Sequence, residues 1–361
     1  MEIIYLFEYF AVCVNVSLAS LLLSNIGRMK RILFITLLSI TSEFIVAQTG
    51  DEAFTFLRYP TSARANALGG NVISLVESDP SLIFHNPALL GGEMDGMLNV
   101  NYMNYMSDVN VGDVVFTKAL KERSAWGIGI SYFNYGSFEG RTTENISTGT
   151  FSAQDLNLSG FFSYDLSDRW RGGTSFKFLY SHYDIYSSFG IAVDAGLSYY
   201  NSDKNLSYGI VLKNIGAQLK SYENKRLKMP WDIQLGFSRK MNHAPIRFSM
   251  TAYYLNKWKL NYLDETGDED YKEDSFTKTV FKHLIFGVDF VPSDNFWFGV
   301  GFNPKRSSDM KLQGGNSFSG FSAGAGIKIK SFDVGCSIAK FHPSAVSFLV
   351  SISRTFGETK L

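Results

Sequence analysis

Phe189 to Tyr200, FGIAVDAGLSYY, alternates strictly along its length. Phe189, Ile191, Val193, Ala195, Leu197 and Tyr199 share one parity, and Gly190, Ala192, Asp194, Gly196, Ser198 and Tyr200 the other. A period of two belongs to a strand, whose successive side chains leave on opposite faces. One face here is apolar and bulky. The other is small and polar, and it carries an acid.

The same dyad recurs along the chain. Trp126, Ile128, Ile130 and Tyr132 stand against Gly127, Gly129 and Ser131; Phe296, Phe298, Val300 and Phe302 against Trp297, Gly299, Gly301 and Asn303. Near the end, Val346, Phe348, Val350 and Ile352 stand against Ser347, Leu349, Ser351 and Ser353. About fourteen such segments can be marked, near 96–105, 111–119, 124–135, 153–165, 169–182, 186–200, 206–215, 230–240, 245–257, 280–291, 294–304, 318–330, 331–340 and 344–356. An even number of alternating strands of this length predicts an all-β chain folded as a transmembrane antiparallel β-barrel. A soluble sandwich also alternates, but with shorter strands whose apolar faces meet in one core.

Connection lengths favour the barrel. Ser167–Asp168, Asn201–Asn205, Met241–Ala244, Pro292–Ser293 and Lys330–Ser331 are tight and polar, whereas 136–152, 216–229, 258–279 and 305–317 read as long loops. Short turns on the periplasmic side and longer loops outside are the habit of outer-membrane barrels. Trp126, Tyr132, Tyr199, Tyr254 and Trp258, near strand ends, suit an interfacial girdle. Parity predicts Phe298 and Val350 toward lipid, Asn157 and Ser351 toward the lumen.

Composition agrees. The 361 residues carry 34 basic and 34 acidic side chains, so net charge selects no partner and no nucleic acid is expected. Thirty-one Phe and 19 Tyr against 8 Pro favour strands over helices. Met29 to Ala47 reads as a secretory signal, with Lys30 and Arg31 ahead of an apolar run. Glu43 leaves that run short of a spanning helix. Residues 1–28 then read as an extension ahead of the true start at Met29; a membrane helix over Tyr9 to Ile26 is the alternative. The signal and the barrel together place the protein in a bacterial outer membrane. Cys336 alone follows the signal, so no disulfide within the chain is expected.

Between signal and barrel lies a stretch of another kind, Phe54 to Leu90, FTFLRYPTSARANALGGNVISLVESDPSLIFHNPALL. Pro60, Gly69, Gly70, Pro80 and Pro87 break it into short pieces, yet it is rich in apolar and small residues. We expect residues 48–95 to form an N-terminal plug or hatch, 96–356 the barrel, and 357–361 a tail. Gly69 and Gly70 allow backbone angles closed to other residues, and Asn86 before Pro87 is a turn signal. Arg64, once shielded from water, needs an acid, for which Asp79, Asp194 and Asp289 are candidates.

Phe54-Thr-Phe-Leu57, Pro60, Ser62-Ala-Arg64, Ala67-Leu-Gly-Gly70, Asp79 and Asn86-Pro-Ala-Leu-Leu90 resemble the opening of the PorQ family, outer-membrane components of the type IX secretion system of Bacteroidetes. That family is similar in turn to PorV and to the FadL-type transporter barrels, which have fourteen strands and an N-terminal hatch. The motifs cover about forty residues, and the strand pattern extends the likeness. The resemblance implies a barrel without catalysis that holds a PorZ-like surface protein. PorU, PorV and that protein would form the complex joining cargo to anionic lipopolysaccharide. The competing reading is a FadL-type transporter of hydrophobic molecules.

No enzyme motif is present. His85, His182, His243, His283 and His342 are scattered, with no His-Glu-x-x-His, and no Gly-x-Ser-x-Gly elbow occurs. No cofactor and no resident metal are expected. The acidic loop Asp264–Asp274 offers clustered oxygens to a hard cation, though its spacing is not that of a twelve-residue calcium loop. The basic stretch Lys220–Lys228 suits phosphates or an acidic partner. Tyr222, Arg226, Lys228 and Tyr271 are the candidate partner-docking residues.

Overall fold

The structure, a computed structural model, describes residues 52–121, 123–143, 145–222, 226–258, 260, 274–310, 319–342 and 345–356. The signal, the extension before it and the tail lie outside the described residues. Fourteen described strands close into one antiparallel barrel in which each pairs with its neighbours in sequence and the last with the first. They are β1 (Met97–Met106), β2 (Val109–Lys121), β3 (Ser124–Arg141), β4 (Ser147–Asp165), β5 (Trp170–Tyr183), β6 (Tyr186–Asn201) and β7 (Leu206–Lys220). The circuit continues with β8 (Asp232–Lys240), β9 (Ile246–Ala252), β10 (Leu284–Ser293), β11 (Phe296–Phe302), β12 (Phe321–Ile329), β13 (Phe332–His342) and β14 (Ala345–Thr355). Closure is made by β1 on β14, from Met97↔Thr355 to Asn104↔Phe348.

Parity decides which face meets what. Val100, Val114, Ile130, Leu158, Phe178 and Ile191 pair in succession across β1 to β6 and make one outward apolar row. Phe298 is 46% exposed, whereas Asn157 and Ser351 are buried in the lumen. In water such a band would be a large open apolar patch. In a bilayer it is the lipid contact, and closure leaves no sheet edge without hydrogen-bond partners. No described helix is long and apolar enough to cross a membrane, so the strands do the crossing.

The connections at 122–123, 166–169, 202–205, 241–245, 294–295 and 330–331 all lie at one end. The outer-membrane habit places that short-turn end in the periplasm. At the other end, 221–231, 253–283 and 303–320 are long. Residues 136–152 are not a loop. β3 and β4 continue past their neighbours as a two-stranded ribbon paired from Ser137↔Ser152 to Arg141↔Ser147. Its glycines and charges look loop-like, but pairing satisfies the backbone. Two further connections hold short helices, α2 (Phe276–Lys282) before β10 and α3 (Pro304–Asp309) after β11.

The segment from Ala53 to Gly96 lies inside this wall. It starts at the long-loop end, where Ala53 N donates to Lys228 O (2.9 Å), and finishes at the short-turn end, where Gly96 O accepts from Phe356 N (2.7 Å). Short pieces replace one helix because the prolines and glycines allow no more. Thr55–Arg58 is a single 3₁₀ turn and α1 spans Ala63–Ala67. Further 3₁₀ turns at Pro80–Phe84 and Pro87–Leu89 each begin with the proline whose missing N–H costs nothing there. Ser62, Asp79 and Asn86 cap the last three of these pieces, each accepting from the backbone N–H two or three residues on.

Candidate functional site: the hatch and its cavity

The hatch follows the wall once around, meeting strands in falling order. Ser351 Oγ on β14 accepts from Ala63 N (3.0 Å), and Asn66 Nδ2 donates to Ser337 Oγ on β13 (2.9 Å). Ser322 Oγ on β12 donates to Ala67 O (2.9 Å) and accepts from Gly69 N (3.0 Å). Asn71 Nδ2 reaches Gln234 on β8 (2.8 Å), and Ser207 Oγ on β7 donates to Ser74 O (2.6 Å). Ser163 Oγ on β4 then holds Leu90 O (2.7 Å), and Thr117 Oγ1 on β2 holds Met94 O (2.6 Å). The small polar parity of these seven strands therefore supplies a ring of anchors for the hatch. Each neutral bond contributes about 1 kcal/mol net, and leaving its buried partner unpaired costs more.

Glycines on the wall give the hatch room. A Cβ on Gly301 would stand 2.0 Å from Gly69 N, and one on Gly173 2.4 Å from Ala88 N. Gly69 and Gly70 themselves sit at φ +103° and +101°, where a side chain is strained.

Arg64 is the charged anchor. Its Nη1 pairs with Glu77 (2.9 Å) and its Nη2 with Asp289 on β10 (2.8 Å), while Arg247 on β9 pairs with the same two acids (2.7 and 2.6 Å). Trp297 lies under the Arg64 guanidinium, 4.6 Å from ring centroid to Cζ. Asp289 is one of the three acids named from the sequence as possible partners of Arg64. Asp79 instead caps its 3₁₀ turn and accepts from Ser62 Oγ (2.9 Å). Burial raises the Asp79 carboxyl against the pull of its hydrogen bonds. Asp194 on β6 serves Lys177 (2.6 Å). Pro60 and Ser62 are buried at the entry to α1, and Asn86 Nδ2 ties the chain to Ile73 O (2.8 Å) ahead of Pro87.

Above the hatch, toward the long-loop end, lies a cavity of about 240 Å³. Phe56, Tyr59, Phe84, Phe133 and Ile285 give it apolar walls; Lys177, Lys213 and Arg306 bring positive charge to it, and Asp232 and Asp309 negative charge. Lys213 donates to Phe84 O (3.0 Å), and Lys177 is held by Asp194 and by Asn214 Oδ1 (2.8 Å). Arg306, on α3, stacks 3.9 Å over Phe341, and its Nη2 reaches Gly69 O at 3.4 Å. Its Nη1 is buried with no hydrogen-bond partner among the described residues. Burial pushes this guanidinium down to about 10, with the neighbouring Tyr253 and Tyr105 pulling the other way. His85, also on the cavity, donates from Nδ1 to Asn71 Oδ1 (2.9 Å), and burial beside Lys213 and Lys177 holds its pKa well below the usual imidazole value. Sequence reading did not name Glu77, Arg247, Lys177, Lys213 or Arg306. Parity could have found three of them: Arg247, Lys177 and Lys213 each alternate with outward aromatic or aliphatic residues.

The docking candidates sit apart from this cavity. Tyr222 is half-buried with its ring 5.4 Å from that of Tyr183. Arg226 and Lys228 are exposed, and Tyr271 lies outside the described residues.

No family model and no curated protein matches the chain. Solved structures do. The toluene transporter TodX of Pseudomonas putida is 13% identical with a TM-score of 0.53, over 82% of this chain and 98% of its own. The fold is shared with the TodX barrel. A Pseudomonas aeruginosa FadL homologue, 13% identical with a TM-score of 0.49, covers 86% of this chain and 100% of its own.

Proposed function

We propose that this FadL-type barrel passes small hydrophobic molecules bearing an acidic group across the outer membrane, with the cavity above the hatch as their binding site. Arg306 lines this aromatic-walled cavity, and its buried Nη1, without a partner among the described residues, carries this reading. An unpaired buried cation is costly, and an incoming carboxylate would relieve it with a charge-assisted bond. Size sets the class. A cavity of about 150 Å³ holds benzene, so about 240 Å³ admits one ring with a short acidic arm. TodX, which shares this fold, is a toluene transporter, and that agrees with a single ring.

The experiment is uptake of 3-phenylpropionate into vesicles that contain the full chain. Uptake should exceed that of empty vesicles and should fall with Arg306→Met. Equal flux with and without the protein would end the proposal.

A second reading, docking of a PorZ-like partner in a type IX attachment complex, is favoured by the ribbon of residues 137–152. Its two strands stand beyond their neighbours at the long-loop end, with Phe138 stacked on Phe151 (5.4 Å, 26°). Loss of a surface protein on deleting the ribbon, with uptake intact, would support it.

A further inference from the structure

We propose that α2 and Trp258 form an interfacial foot that sits in the outer leaflet at the boundary between acyl chains and headgroups. This rests on the barrel's lipid-facing wall and is independent of what passes through the lumen.

α2 is too short to bury an apolar stripe against the barrel, and its aromatics point away from the core. Phe276 is 72% exposed and Phe281 51%, while Trp258, from the same connection, is 49% exposed. Three aromatic residues of one connection left in water would be an unusual exposure of apolar surface. They are also held firmly. Trp258 stacks on His283 (5.0 Å, 19°) and lies 5.7 Å from Phe276. Buried His283 contacts Tyr253 O through Nδ1 (2.9 Å) and Trp258 O through Nε2 (3.4 Å). The patch is thus part of the fold at its root.

Continuity identifies the occupant. Phe281 lies 6.0 Å from Phe286, and Phe286 shares the outward parity of β10 with Val288 and Phe290. The aromatic patch therefore continues the lipid-facing band toward the loop end, where tryptophan and other aromatics favour the membrane interface. α2 also carries polar groups. Lys278 keeps its side chain 58% exposed while pairing with Asp274, which also takes the buried Lys282. A short piece that carries exposed aromatics beside an exposed lysine suits a shallow position in a lipid surface.

The test places an environment-sensitive NBD label at residue 276 by Phe276→Cys in a background with Cys13→Ser and Cys336→Ser, with the full chain in phosphatidylcholine vesicles. A matching label at the ribbon tip, Asn145→Cys, reports the aqueous control. Blue-shifted emission at 276, with several-fold stronger quenching by a lipid carrying a shallow nitroxide than at 145, is the expected result. Adding Phe281→Asp should shift the 276 label back toward water while the barrel keeps its heat-modifiable migration. Emission at 276 equal to that at 145, with full quenching by aqueous iodide, would overturn the proposal. An apolar signal seen in native membranes but absent from lipid vesicles would also overturn it, and would assign the patch to a protein partner.

Discussion

Arg64→Met should release the hatch without opening the barrel. Arg64 makes two charge-assisted bonds, to Glu77 (2.9 Å) and Asp289 (2.8 Å), and one face-on contact with Trp297. Bonds of that kind contribute about 1.5–3 kcal/mol each, and the pair to Glu77 counts for less because that side chain is 22% exposed. Truncation also leaves two carboxylates facing Arg247 alone, which is the larger effect. Breaking a buried pair on one side costs about 3–5 kcal/mol. That corresponds to a rise of ~10²- to ~4 × 10³-fold in the opening constant of the hatch, at 1.4 kcal/mol per decade. Hydrogen exchange at Ala63, Asn66 and Leu68 reads it directly, since exchange reports local opening. Amides of β3 to β6, whose ladders do not involve Arg64, should keep their protection. Asp289→Asn added to Arg64→Met should recover part of the loss, because it removes the stranded charge. Unchanged exchange in the hatch, or equal loss of protection in wall and hatch, would refute the reasoning.

Gly301→Val should prevent seating of the hatch at Gly69, at a cost of about 1–3 kcal/mol or more, whereas Gly299→Ala, 3.3 Å from Leu68 Cδ2, should be tolerated; limited proteolysis of the hatch distinguishes them. His85 has its folded pKa lowered by burial and by Lys213 and Lys177. The unfolded hatch then binds more protons below about pH 6.5, so hatch stability should fall as the pH drops, by at most ~1.4 kcal/mol per unit. Asp79, with a raised folded pKa, acts oppositely, losing stability as pH rises through that value. The difference in hatch exchange between the native chain and His85→Gln isolates the histidine. Phe298→Arg on the lipid face should cost about 2–4 kcal/mol near the midplane and Asn157→Arg in the lumen far less, measured by refolding into vesicles.

The wall was open to sequence reading because a bilayer outside and a polar lumen inside impose opposite demands on adjacent residues. FGIAVDAGLSYY states both in twelve positions. Parity could also place Asp289 and Asp194 inward. It could not say that Asp289, 225 positions from Arg64, stands at the same height in the barrel, because height depends on strand tilt and register. Glu77 escaped notice for a different reason: it belongs to the hatch, where no period exists to orient it. Residues 136–152 misled because Gly136, Gly140 and Gly149 punctuate them like a loop, while cross-strand pairing, invisible in either strand alone, keeps them extended. The cavity is likewise a product of assembly, gathering Phe56, Lys177, Lys213 and Arg306 from four separate elements.

The central claim is that the cavity above the hatch receives a small hydrophobic acid through Arg306. Titrating the purified full chain in detergent with 3-phenylpropionate tests it most directly. Saturable one-to-one binding is predicted, weakened ~10- to ~100-fold by Arg306→Met, since one charge-assisted bond is at stake. The neutral 3-phenyl-1-propanol should bind correspondingly less well to the native chain and equally to the variant. Equal affinity of acid and alcohol for the native chain, or no saturable binding at all, would contradict it.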